Sequence, residues 1–447
     1  MKKLLALLLT LVLMLSLAAC GEKEGTGSTD NSGGDTKTGS TDNGSGDAKV
    51  EERTLNILCE AGGPGELVAK ETAAEFEAMH PGVTIVVDAV PYTGIFDKLG
   101  TEIKSGNIVH DVATLDVLWL SAFKRNIEPL NSYITDEMTG DFLPTMLDGG
   151  TLDGEVLGMP MWINSKVLMY RTSYFEDEQN KADFKAEYGY DLVVPTTWAE
   201  YMDVAAFFTD ADSNFFGTAV YGANNGDTVC SWLDHASQAG AGPLVLDGDK
   251  VVIDEQPYVD AINFMKAQFD AAIVPADSLS NASGEVINYF NNGQLAMMLN
   301  WSHFYPSAKE TLGGDVGVAP MIGGSAGVGA TTGPWYEVVL KDSENKELAV
   351  EYLKFKYEKN GDYMKAALKI AGRTSVYEEY SKIEGNEHLK AVLDTLGSEA
   401  SGNRPNTPYW TEIEQILADA IHSAIAGKVT TEAAMADAKT KIEAIIK

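Results

Sequence analysis

TLNILC (residues 54–59), ELVAKETAAEFEAM (66–79), VTIVVDAV (83–90), YTGIFDKLGTEIKS (92–105) and VATLDVL (112–118) together decide the fold class. The first, third and fifth are short apolar runs that read as strands. The second is a helix with Val68, Thr72, Phe76 and Met79 on one face, and Tyr92 to Ser105 is another. His80-Pro81-Gly82 is the break between the first helix and the strand that follows. Strand and helix alternate with short connections, which is an α/β doubly wound pattern.

Downstream the pattern is more mixed. Glu155 to Arg171 is strand-like, Thr197 with Glu200 makes a capping box, and helix, loop and short strands continue to about Thr332, so this region reads as a second lobe. Lys341 to Ala367 is strongly helical, with Leu348, Tyr352, Leu353 and Lys356 at helical spacing. In the last forty residues Ile413, Leu417, Ala420 and Ala424 form one stripe, and Met435, Ala438, Ile442 and Ile445 form another.

The 447 residues carry 66 acidic and 33 basic side chains, a net charge of −33, and no clustered basic surface for nucleic-acid phosphates is supplied. With 45% hydrophobic residues the chain can bury large cores, and at roughly 100 to 200 residues per domain it suggests two or three domains. Lys2 and Lys3 precede an apolar run from Leu4 to Ala19, short for a membrane span of about 20 residues. Leu17-Ala18-Ala19-Cys20 resembles a bacterial lipobox. That resemblance implies a signal peptide at 1–19 and a lipoprotein whose Cys20 is diacylglyceryl-modified, with the palmitate-type chains as its only anchor. The mature chain would have 447 − 19 = 428 residues and a charge of 31 − 66 = −35. From Gly21 to Lys49, 23 of 29 residues are Gly, Ser, Thr, Asp or Asn, so nothing there can pack a core, and 20–52 reads as a flexible tether.

Cys59 and Cys230 could form a disulfide outside the cell, although buried free thiols fit their surroundings better. The six histidines are scattered and no zinc-binding spacing occurs, so neither a metal nor a cofactor is expected. Gly323-Gly324-Ser325-Ala326-Gly327 has the letters of a hydrolase nucleophile elbow, but more loop follows where a helix is required, so it reads as a glycine-rich surface loop. Asp210, Asp212 and Asn214 begin like a calcium loop, yet Phe215 replaces the required glycine and Tyr221 the bidentate glutamate; this is a turn. Paired carboxylates for glycoside hydrolysis stay possible in so acidic a chain.

The tryptophans are more informative. Trp119 follows Asp116, Trp162 precedes Asn164, Trp301 follows Asn300, and Trp335 adjoins Tyr336, all strand-end or loop positions that suit an exposed cleft. A sugar ring offers C–H faces to aromatic platforms and a rim of hydroxyls to carboxylates, amides or guanidinium groups. Trp198, inside the capping box, reads instead as packing for its helix.

Six stretches in this order carry a family resemblance: FEAMHPGVTIVVDAVPYTGIFDKL (76–99), GEVLGMPMWINSKVLMYR (154–171), PTTWAEYMDVA (195–205), FNNGQLAMMLNW (290–301), DVGVAPM (315–321) and NRPNTPYWTEIEQILADAIHSAIAGKVTTEAAMADA (403–438). The chain resembles the extracellular solute-binding proteins of bacterial ABC importers for carbohydrates, akin to maltose-binding and multiple-sugar-binding proteins. The resemblance implies a two-lobe periplasmic-binding-protein-like fold (type II), each lobe a sheet flanked by helices, with the ligand cleft at the hinge. Lobe 1 would comprise 53–164 plus 341–374, and lobe 2 would comprise 165–340 plus 375–447. By position it implies ligand contacts from Glu60, Asp116, Trp119, Trp162 and Asn164, and from Trp232, Trp301, Trp335, Tyr336, Arg373 and Trp410. Asn164 stands where maltose-binding proteins carry an acid, so a maltodextrin preference does not transfer. The implied protein is a non-catalytic, lipid-anchored monomer at the extracellular face of the cell membrane. It closes on a sugar with micromolar affinity, about −8 kcal/mol. Its partners are the permease subunits of an ABC importer with their cytoplasmic ATPase. A lipoprotein glycoside hydrolase, or a same-fold receptor for polyamines, metals or peptides, is the alternative.

Overall fold

The computed structural model describes residues 51–364 and 369–447. The expected signal peptide, the expected lipidation site Cys20 and the expected tether up to residue 50 lie outside the described residues. Strand β1 (Arg53–Glu60) runs parallel to β2 (Val83–Val90) over its full length and to β3 (Val112–Asp116) on its other side. Four later strands are β4 (Met159–Trp162), β5 (Lys166–Tyr170), β6 (Met297–Trp301) and β7 (Gly317–Ala319), and β8 (Trp335–Val339) returns antiparallel to β3. They build two sheets, one of order β2-β1-β3-β8-β4 and one of order β6-β5-β7.

The helix Pro64–Met79 covers β1 and β2, with proline at its start and Glu66 in its first turn, where a carboxylate suits the positive helix end. Val68, Thr72 and Phe76 are buried as the spacing predicts, but Met79 is 58% exposed, because the helix ends there and the chain turns at His80. Strand β3 also stops short of Leu118. The Asp116 carboxylate accepts from Leu118 N at 3.2 Å and turns Val117–Trp119 into one 3-10 turn, which leaves Asp116 at the sheet edge.

Four helices pack on one another: Gly226–Gln238, Gln256–Asp270, Trp410–Ile425 and Thr431–Ile445. Gly226–Gln238 is buried at every residue from Thr228 onward, as a helix packed on all sides must be. Within the expected helix 341–367, the described helix is Lys346–Glu358, preceded by a turn in which Ser343 Oγ accepts from Asn345 N. Leu348, Tyr352, Leu353 and Lys356 are all buried there, and Lys356 pairs with Glu337 in the interior.

The glycine-rich stretch 323–327 is a small hairpin, Gly323–Gly324 against Gly327–Val328, and not an open loop. A Cβ at Gly324 would lie 2.6 Å from Gln238 O, so only glycine allows that approach. The capping box at Thr197 and Glu200 forms, and Trp198 stacks on Phe264 at 4.4 Å. Asp210 caps a single turn through Ser213. Cys59 and Cys230 are free and buried. The chain crosses between the two sheets at 163–165 and again at 333–334.

Candidate ligand-binding cleft

Glu60, Asp116 and Trp162 end β1, β3 and β4, while Trp335 begins β8 opposite both Asp116 and Trp162. All four therefore lie along one edge of the larger sheet. That edge, outside the carboxyl ends of parallel strands, is where open α/β sheets bind ligands. It bounds a cavity of about 480 Å³, whose opposite wall is built from Asn164, Trp301 and His303, from the start of helix Gly226–Gln238, and from Arg404 and Glu414. A second chamber of about 320 Å³ shares Glu60, Asn164, His303 and Trp335 and adds Trp162 and the 61–64 turn. Both volumes fall in the range of small-molecule sites, roughly 300–1,000 Å³.

The sheet-edge wall is aromatic. Trp335 stacks on Trp162 (6.0 Å, 22°) and meets Trp119 and Tyr92 edge-on at 6.0 and 5.8 Å. Trp119 is buried behind Tyr92, with ring centroids 4.6 Å apart, so Trp335 and Tyr92 present the open surface while Trp119 holds them.

The opposite wall is a hydrogen-bonded frame. Asn164 Oδ1 accepts from Ser302 Oγ and its Nδ2 donates to His303 Nδ1, each at 2.6 Å. With Nδ1 accepting, His303 carries its hydrogen on Nε2. Burial pushes the His303 pKa down to about 4, so the ring is neutral. Trp301 lies over the Lys166 ammonium at 4.8 Å, and that ammonium donates to Asp234 Oδ2 at 2.7 Å. Asp234 Oδ1 in turn accepts from Thr331 N and Oγ1. One buried ion pair thus ties two neighbouring chain crossings to the helix that forms the wall.

Arg404 spans the cavity floor. Its Nη2 donates to Asp116 Oδ1 and Oδ2 at 2.8 and 2.9 Å, and its Nε donates to Thr332 O at 3.1 Å. Burial alone would lower the guanidinium pKa, but the Asp116 carboxylate outweighs it and the net direction is up. Glu60 moves the other way from an ordinary acid. Burial, with Asp116 adding repulsion, pushes its pKa up to about 7. Burial also raises Glu414, offset in part by Arg404 and by the Trp410 hydrogen bond. The Cys230 thiol, in the same lining, is pushed up to about 11 by burial and is not a nucleophile.

Of the residues expected from the sequence, Glu60, Asp116, Asn164, Trp301 and Trp335 line the main cavity, Trp162 lines the second chamber, and Trp119 backs the wall. The structure places four elsewhere. Trp232 is fully buried and its Nε1 donates to Tyr258 O, because its helix has no solvent face. Tyr336 points to the other face of β8, as strand alternation requires, and donates to Met146 O. Arg373 is bound to Asp141 and stacks on Tyr357. Trp410 sits behind the wall with its Nε1 on Glu414. Tyr92, Asn225, Asp227, Cys230, His303, Arg404 and Glu414 were not anticipated as site residues. Arg404 was within reach of the sequence, in the NRPNTPYW stretch that carries part of the family resemblance, whereas Asn225 and Asp227 carry no signal beyond a helix start.

Two sheets with chain crossings between them, and a cleft where aromatic and polar walls meet, define a two-lobed ligand receptor. The chain belongs to the family of bacterial extracellular solute-binding proteins, which it matches over residues 64–360. It is 28% identical over 386 residues to a binding protein of Brucella abortus, covering 85% of this chain and 89% of that one. A Deinococcus radiodurans protein described as a probable ABC transporter-binding protein is 25% identical over 407 residues, covering 87% and 92%. Among solved structures, maltose-bound MalE3 of T. maritima superposes with a TM-score of 0.72 at 24% identity, over 88% of this chain and 99% of that one. The maltotriose-binding protein of Thermus thermophilus, bound with maltotriose, gives 0.70 at 23% identity, over 88% and 100%. The fold is the type II periplasmic-binding-protein fold.

Proposed function

We propose that this protein captures a sugar or oligosaccharide in the cleft and delivers it to an ABC importer. The observation that carries this is the pairing of walls: open faces of Trp335 and Tyr92 confront fixed donors and acceptors on Asn164, His303 and Glu414 across two adjoining chambers. Apolar ring faces and hydroxyl rims ask for that pairing. The relatives named above point the same way. Lobe 1 is 53–164 plus 335–374 and lobe 2 is 165–334 plus 375–447, the expected boundary at 340 moving to 334 because β8 pairs with β3 and β4 in the larger sheet. A sugar that touches both lobes binds the closed state more tightly than the open one, and that difference in affinity drives closure. Cys20 carries the lipid, the tether lets a monomeric receptor reorient above the membrane, and the permease pair receives the closed form.

No bond is broken in this reading. Glu60, titrating near neutrality, has the protonation of a general acid, but the adjacent carboxylate, Asp116, is bound by Arg404 and Tyr92. The test is a thermal-shift and calorimetry screen against mono- and oligosaccharides, with recovery of the ligand afterwards. A shift that grows with sugar concentration, with the sugar intact, supports capture. Cleaved sugar would instead assign a glycosidase, and a response to metal salts alone would overturn the ligand class.

A further inference from the structure

The main cavity holds a charge imbalance that a neutral sugar leaves standing. Glu60, Asp116, Asp227 and Glu414 line it, and among the described residues the only cation in the lining is Arg404. Arg404 is committed, with Nη2 on Asp116, Nε on Thr332 O and Nη1 at 3.8 Å from Cys230 Sγ. Asp116 also accepts from Tyr92 Oη and Leu118 N, so that pair is self-contained.

The other three acids are not, and Glu60, pushed up to about 7 by burial and Asp116, is only partly ionised at neutral pH until a cation beside it favours the carboxylate. Asp227 accepts from Ser283 through Oδ2, leaving Oδ1 open, and Glu414 accepts from Trp410 through Oε1, leaving Oε2 open. No donor among the described residues reaches the Glu60 side chain within hydrogen-bond distance. His303 beside them is neutral. The first turn of helix Gly226–Gln238 touches Glu414, since a Cβ on Gly226 would lie 3.0 Å from its carboxyl. A helix end supplies only about half a positive charge, too little for three carboxylates. The described residues hold no converging set of three metal ligands, so a metal ion is not the natural counter-charge. The open faces of Trp335 and Tyr92 attract organic cations as well as sugar C–H bonds.

We propose that the cleft selects an amine-bearing sugar over its neutral counterpart, with the uncompensated carboxylates of Glu60, Asp227 and Glu414 supplying the field that holds the ammonium group. This rests on reading the cleft as a sugar site. A protonated amine keeps the ring for Trp335 and supplies the charge the cavity lacks, whereas N-acetylation or a hydroxyl supplies none. The contribution is partly buried, so salt weakens it less than it would a surface pair.

The experiment is calorimetric titration of the purified protein at pH 7 with matched sugars: glucosamine against glucose, and the β-1,4-linked glucosamine dimer against cellobiose and the N,N′-diacetyl dimer, with spermidine as a control. The aminated member is expected to bind at least tenfold tighter. In the Glu60→Gln/Glu414→Gln double variant, checked for cooperative unfolding, that preference falls to within about twofold. The single variants Glu60→Gln and Glu414→Gln each give an intermediate preference, which covers a double variant that fails to fold. Equal or tighter binding of the neutral members overturns the inference and leaves sugar capture standing, as does a preference that survives the substitutions. Binding of spermidine but of no sugar in either series overturns both.

Discussion

The two walls of the cleft are stabilised differently. The sheet-edge wall is a stack of rings, Trp162, Trp335, Tyr92 and Trp119, whose positions follow from strand ends and dispersion contacts. The opposite wall hangs on polar groups: the Lys166–Asp234 pair under Trp301, the Asn164–Ser302–His303 frame, and Arg404 bridging to the first wall. Ring packing degrades gradually when one member is lost. A buried ionic frame fails abruptly, since removing one partner leaves a desolvated charge.

The sharpest break in that contrast is Asp234→Ala. Both side chains of the pair are about 1% exposed, so Lys166 would keep a buried ammonium with no counter-charge, and Thr331 would lose its acceptor. A loss of about 3–5 kcal/mol is expected in urea unfolding. Sugar affinity falls as well, because Trp301 rests on that ammonium. A loss under about 1 kcal/mol would show that the frame does not depend on the pair.

Glu60→Gln reads the electrostatics of the first wall with the opposite sign. The titratable and charged groups that share the cavity with Glu60 are Asp116 and Tyr92 at the sheet edge, and Arg404, Asp227, Glu414, His303 and Cys230 in the rest of the lining. Below about pH 4 it is protonated whether the chain is folded or not. As pH rises the unfolded chain ionises at the ordinary value, while the fold holds the proton until about 7, so stability falls through that window and stays lower above it. The glutamine variant escapes that loss. It is expected to match the parent near pH 4 and exceed it by on the order of 2 kcal/mol at pH 8, seen as a pH-dependent gain in thermal midpoint. A gain equal at both pH values would mean that burial of the charge is not its source.

The difference between the walls is also the difference between what the sequence discloses and what it withholds. The first sheet is legible because apolar alternation fixes strands and their ends, and Glu60, Asp116, Trp162 and Trp335 are strand-end residues. Strand ends become a cleft edge by topology alone. The second wall is assembled from segments at 164, 225–230, 301–303, 404 and 414, which only tertiary packing brings together. Trp232 and Trp410 illustrate the failure: their helices bury the rings, and no spacing rule separates a helical tryptophan in a core from one in a cleft. Arg373 and Arg404 are equally plausible guanidiniums on paper. Asp141 claims one and Asp116 the other, and that choice is made 232 and 288 residues away in the chain.

Trp335→Ala measures the ring wall directly. The lost platform is expected to weaken sugar binding by about 2 kcal/mol, roughly thirtyfold in Kd, by calorimetry. Cooperative unfolding persists, since Trp119, Tyr92 and Phe96 still pack on one another. If affinity were unchanged, the Trp335 face would not be the platform, and Tyr92 would be the remaining open ring of the main cavity's sheet-edge wall.

The smallest effect tests whether the polar frame acts by positioning. Asn164→Ala removes the donor to His303 Nδ1 and the acceptor for Ser302 Oγ without leaving a charge stranded. Each such bond contributes about 1 kcal/mol net, so losing both should lower stability by about 2 kcal/mol. The consequence for His303 is more specific. With nothing donating to Nδ1, the hydrogen is free to sit on either nitrogen, and an Nε2–H donor is present only part of the time. Sugar affinity is expected to fall about fivefold, and the nitrogen shifts of His303 by NMR should move from one tautomer toward a mixture. Burial still holds the ring neutral above about pH 4. If affinity falls while the tautomer stays fixed, Asn164 acts by touching the ligand itself.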